Sequence, residues 1–162
     1  MDRNFILKIL VVLAAVWLPA NSLAQSNSLK QQLIGTWTVV SVADVYENGK
    51  KVDDWGSEVG GAASFDASGR FTWMIIGRDL ENASGSPRVS SRMVIAYYGK
   101  YSVDEAAKAI TLKAERSTYP NFDGSTRKAS LTIKGDTMTQ SSTPISTPRG
   151  PIVPQIVLKR AE

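Results

Sequence analysis

The chain has 162 residues, 19 Lys plus Arg against 15 Asp plus Glu for a formal net charge of +4, and neither Cys nor His. That composition excludes a disulfide framework, a thiol nucleophile, thiolate or imidazole metal sites and a Ser-His-Asp triad. The basic side chains stand singly or as the pairs Lys50-Lys51, Arg127-Lys128 and Lys159-Arg160 among acids, which predicts a mildly basic, solvated surface and no nucleic-acid partner.

Residues 1–24 read as a signal peptide. Arg3 and Lys8 carry its positive charge, residues 9–18 form an apolar run, Pro19 breaks it, and Ser22-Leu23-Ala24 sets small residues where a signal peptidase cuts. The run is shorter than the roughly 20 residues of a membrane-spanning helix. The expectation is therefore cleavage after Ala24 and an exported product, periplasmic or secreted, with no stable membrane insertion. Residues 25–162 form one domain, long enough to bury about two thirds of its unfolded surface. With no Cys to staple it, packing alone must hold that domain.

Leu29, Leu33 and Ile34 are spaced for one helical turn, and everything after it reads as strand. Residues 35–42 are rich in β-branched side chains and lead to an Asn48-Gly49 turn. A hairpin follows, with residues 62–65 and 70–76 joined by Asp66-Ala67-Ser68-Gly69. Residues 79–92 are polar, contain Gly85 and Pro87, and predict a loop. Residues 93–103 and 109–116 form the next pair of strands, and residues 127–134 and 137–141 another, turning at Gly135-Asp136. Pro144, Pro148, Pro151 and Pro154 mark an irregular connection before a last strand at residues 155–160. Repeated strands with short turns and no long helix predict an antiparallel barrel or sandwich.

Period-two alternation assigns the inward faces. Ile110, Leu112 and Ala114 share one face, and continuing the count turns Arg116 inward with them. Ala129, Leu131 and Ile133 do the same for Arg127. Phe71, Trp73 and Ile75 share a face, as do Tyr97, Gly99, Tyr101 and Val103, so an aromatic-lined cup is expected, either open for one small ligand or filled by the rings. Two inward arginines at one end need carboxylates, supplied either by Asp123 or Glu115 or by the head group of a ligand.

Leu33-Ile34-Gly35-Thr36-Trp37 with Val40-Ser41, Tyr98-Gly99-Lys100-Tyr101, Tyr119-Pro120-Asn121-Phe122-Asp123-Gly124 with Arg127, and a terminal Leu158-Lys159-Arg160 occur in that order. Together they resemble the bacterial lipocalin-like domain family over about residues 33–160. The resemblance implies an all-β, calycin-type antiparallel barrel of eight to ten strands with one closed end and a cup for a small apolar ligand. It also implies that Trp37 and Arg160 form the barrel floor, where alternation independently carries Arg160 inward with Ile156 and Leu158. Many relatives carry His on the strand before the Pro-Asn loop, where this chain has Leu112-Lys113-Ala114.

The expected function is binding of a small hydrophobic or amphipathic ligand, with a carboxylate as one option for its head. Phe71, Trp73, Tyr97, Tyr101, Tyr119 and Phe122 would surround its body, and Arg127 and Arg116 would orient the head. The expectation includes a monomer, no cofactor, no metal and no catalytic residue. Two alternatives use the same barrel: a cofactor-independent isomerase or cyclase working through a tyrosine beside an inward arginine, and a filled barrel acting as an interaction module through its Pro-rich connection.

Overall fold

The computed structural model describes residues 28–53, 55–56, 58–77 and 94–162. The leader expected over residues 1–24 and the loop expected over residues 79–92 lie outside them. A five-residue helix, α1 (Leu29–Leu33), precedes nine strands: β1 (Gly35–Tyr46), β2 (Lys51–Val52), β3 (Gly60–Phe65), β4 (Arg70–Ile76), β5 (Val94–Asp104), β6 (Ala109–Ser117), β7 (Thr126–Lys134), β8 (Thr137–Ser142) and β9 (Ile152–Arg160). Each strand from β3 on pairs antiparallel with the next, β3 also pairs with β1, and β9 returns to β1. The result is a closed eight-strand antiparallel barrel, with β2 added to the outer half of β1. Closure leaves the main strands with no open edge.

The expected all-β barrel with a short N-terminal helical turn is therefore the fold observed. β9 begins three residues earlier than the Pro-rich composition predicted, at Ile152. Its ladder to β8 stops at Ser141↔Gln155, one position before Pro154, while its ladder to β1 continues to Tyr46↔Ile152. A residue without an N–H thus sits where one flank of the strand is already unpaired.

The closed end is built from α1 and the starts of β1 and β4. Ser28 and Gln31 form a capping box, and the Glu105 carboxylate accepts from the Lys30 and Leu29 N–H groups at 2.9 and 2.8 Å. Those two hydrogen bonds hold Glu105 below the ordinary carboxylate pKa. Leu29 and Leu33 are buried under the core. The Trp37 indole N–H donates to the Leu33 carbonyl at 2.8 Å, and the Arg160 guanidinium lies 4.3 Å from a Trp37 ring centroid. Arg160 also donates to the Gln32 and Ile34 carbonyls at 2.7 and 3.1 Å, so it closes the C-terminal end of α1, whose last carbonyls have no helical partner.

Above this floor, alternation holds through most of the barrel. β4 buries Phe71, Trp73 and Ile75 and turns Arg70, Thr72 and Met74 outward, and β6 buries Ile110, Leu112 and Ala114. The period breaks once on β6. Tyr98 faces Arg116 but Gly99 faces Ala114, which leaves Glu115 as the extra residue of a bulge. Beyond the bulge the faces exchange, and Arg116 points to solvent.

Candidate functional site

The open end is ringed by the outer part of β1, the end of β4, the start of β5 and the connection from β6 to β7. That connection is the best-defined part of the rim. It contains one turn of 3-10 helix at Pro120–Phe122, and the Asp123 carboxylate ties it back to β6 by accepting from Ser117 N at 2.6 Å and from the Arg116 guanidinium at 3.1 Å. Gly124 supplies the positive φ of +69° that lets the chain turn into β7. Ser125 Oγ donates to the Phe122 carbonyl at 2.8 Å. These contacts aim the Phe122 ring at Tyr97, with centroids 5.8 Å apart.

A continuous run of rings leads from the mouth to the floor. Tyr119 meets Phe122 at 5.0 Å, Tyr97 meets Phe71 at 5.5 Å and Trp73 at 6.3 Å, and Phe65 meets Trp73 at 6.1 Å and Tyr101 at 5.3 Å. Edge-to-face and offset arrangements at these separations each add about 0.5–1.5 kcal/mol beyond burial. Tyr101 lies at the deep end, where its hydroxyl donates to the Asp66 carbonyl at 2.6 Å, so it serves the wall of the barrel and not its mouth. On the outer face of the sheet, a groove of about 520 Å³ lies around Thr72, Met74 and Tyr98, and one of about 490 Å³ around Thr36, Thr72 and Tyr98.

The two arginines part company. Arg127 keeps the inward orientation that alternation gave it: it is half-buried, and its guanidinium sits 4.0 Å from the Phe122 centroid. Among the described residues no carboxylate pairs with it. Arg116 does not join it inside. Its side chain is 75% exposed and pairs with Asp123, because the bulge at Glu115 reverses the face on which it emerges. Glu115 also lies outside, paired with Arg70 at 3.1 Å. Of the eight residues expected at the site, Tyr97, Phe122 and Arg127 form a contiguous set at the mouth that continues inward to the buried Trp73, Tyr119 borders it, Phe71 and Tyr101 lie deeper, and Arg116 is on the outer surface.

Burial pushes the Tyr97 hydroxyl up to about 12, with the nearby Arg127 charge working in the opposite direction. At neutral pH it is a hydrogen-bonding group and a poor base. An unfolded tyrosine ionises near 10, so the folded form holds its proton more tightly. The corresponding stability, on the order of 2–3 kcal/mol, is complete below pH 10 and is lost as pH rises through 12. Urea midpoints measured from pH 9 to 12 should fall for the natural chain, and Tyr97→Phe should flatten that fall. An identical slope in the variant would show that Tyr97 is not so buried.

One inward polar residue was not anticipated. Gln140 on β8 is only 5% exposed, and among the described residues its Oε1 has no partner; the Trp73 Nε1–H on β4, with Trp73 2% exposed, has none there either. The signal was present in Met138-Thr139-Gln140, where period two puts Gln140 on the same face as Met138.

With this geometry in hand, comparison with known proteins gives one assignment. No curated protein matches the chain. The lipocalin-like domain matches residues 34–159, which spans the barrel from the end of α1 to the last strand and includes the Trp37 floor and the Phe122 rim. The chain belongs to the lipocalin-like domain family.

Proposed function

We propose that this is an exported binding protein for a small amphipathic anion, whose head is received by Arg127 and whose apolar body lies against Trp73, Tyr97 and Phe122. The family is compatible with small-ligand binding in general, and the leader read in residues 1–24 supports export. The observation that carries the reading is Arg127: a half-buried guanidinium at the barrel mouth, held over an aromatic ring and without a carboxylate among the described residues. A cation in that position favours an anionic partner. Each 100 Å² of apolar ligand surface removed from water by the adjoining rings adds about 2.5 kcal/mol. Arg116 has no part in this reading, since it is paired outside the wall.

The test uses decanoate and decanol with calorimetric detection. Decanoate should bind the natural chain, and Arg127→Ala should weaken it about ten- to a hundredfold, the worth of a hydrogen bond to a charged group. Decanol should bind both proteins alike. Equal decanoate affinity in the two proteins would remove Arg127 from the site. No uptake of either molecule, with an adduct-free native mass, would move the barrel to the interaction-module reading.

A further inference from the structure

Resting on that reading, we infer that the body of the ligand is not a plain hydrocarbon but a flat, ring-bearing anion that carries a hydrogen-bonding substituent, recognised inside the barrel by Trp73 Nε1–H and Gln140 Oε1. Both atoms are buried and without partners among the described residues, one a donor and the other an acceptor. They belong to β4 and β8, which stand four strands apart in the eight-strand ring and therefore on opposite walls. Both side chains project inward: Trp73 packs against Phe65 and Tyr97, and Gln140 lies between Met138 and the open end on the inner face of β8.

A barrel meant only for an alkyl chain has no use for such groups. Leu or Met in place of Gln140, and Phe in place of Trp73, would occupy the same positions without an unsatisfied polar atom. Their presence inside an otherwise apolar wall is the pattern of a site that discriminates by hydrogen bonding, in which a ligand lacking the matching group binds less well because the buried atoms stay unpaired. The rings explain why the ligand is flat. From Arg127 the path inward runs over Phe122, Tyr97 and Trp73 in successive contacts, and an aromatic body can stack along it. The anion stays at Arg127, and the substituent reaches the polar atoms deeper in.

The matched pair 2-naphthoate and 6-hydroxy-2-naphthoate separates this inference from the reading beneath it. The two share head and ring and differ by one hydroxyl, which both donates and accepts. By calorimetry on the protein purified from an exported preparation, the hydroxylated acid should bind at least tenfold tighter, and Gln140→Leu should reduce that preference at least threefold by weakening the hydroxylated acid relative to 2-naphthoate. In proton–nitrogen correlation spectra the Trp73 indole signal, assigned with Trp73→Phe, should move downfield with the hydroxylated acid only. That measurement needs no variant at position 140 to fold. Equal affinities for the two acids in the natural chain, or a preference that Gln140→Leu leaves undiminished with a static Trp73 signal, overturns the inference and leaves the Arg127 reading standing. If neither naphthoate nor decanoate binds, the Arg127 reading fails and the inference with it.

Discussion

Replacing Trp37 with alanine is expected to lower the thermal midpoint by about 10–20 °C, the equivalent of a 3–5 kcal/mol loss in a domain of this size. Trp37 has no exposed surface and sits where four elements meet. It pairs with Ala63 on β3 and Arg160 on β9, donates to Leu33 of α1, and carries the Arg160 cation on its face. Removing the indole leaves a large cavity at the floor, takes the partner from the Leu33 carbonyl, and frees the guanidinium that satisfies the Gln32 and Ile34 carbonyls. Arg160→Met isolates the polar part. It keeps an apolar stem over the ring but abandons two carbonyls, and should cost about 1–3 kcal/mol. Because both residues act on the same closure, the double variant should lose less than the sum of the single ones. Additive losses would mean that Trp37 and Arg160 stabilise the floor independently.

That floor is legible in the sequence. Gly35-Thr36-Trp37 and the parity of Ile156, Leu158 and Arg160 lie within single strands, and burial on one face forces period two wherever the ladder is regular. The same holds for Phe71, Trp73, Tyr97 and Tyr101, whose inward direction follows from their own neighbours. Arg116 fails the count for a reason its own strand does not contain. The extra residue at Glu115 is set by how β6 meets Gly99 on β5, so the signal for the reversal lies on a different strand, in a glycine between two tyrosines. A glycine inside an otherwise strong strand is a recognised marker of a bulge or of close backbone approach.

Gln140 illustrates the opposite case: its inward direction follows from simple alternation, but a polar side chain draws attention as a site residue only once it is known to lack a partner. Three-dimensional satisfaction of hydrogen bonds cannot be read from one strand. The pairing of Arg116 with Asp123 is only half legible in the same way: charge calls for an anion but leaves Asp123, Glu115 and a ligand head group open, and it is the outward turn at the bulge that selects Asp123.

Gly99→Ala is the second substitution with a large expected effect, a loss of about 3 kcal/mol or more. A methyl group there would fall 2.0 Å from the Lys113 carbonyl oxygen and 3.0 Å from Glu115 N, both backbone atoms that cannot rotate away. Relief requires β6 to retreat from β5 at the bulge. That movement strains the Tyr98↔Arg116 register and, through Arg116 and Ser117, the two hydrogen bonds that tie Asp123 to β6. Phe122 is the next residue along, so the variant should also weaken carboxylate binding at Arg127 even under conditions where it remains folded. Gly60→Ala is the control. It also lies in a strand of the barrel, yet its added methyl meets nothing within 4 Å and its backbone is not in the positive-φ region. It should leave stability within about 1 kcal/mol of the natural chain. If urea midpoints place the two alanine variants together, close approach at Gly99 is not what sets the bulge, and the outward turn of Arg116 must have its cause in the connection that follows.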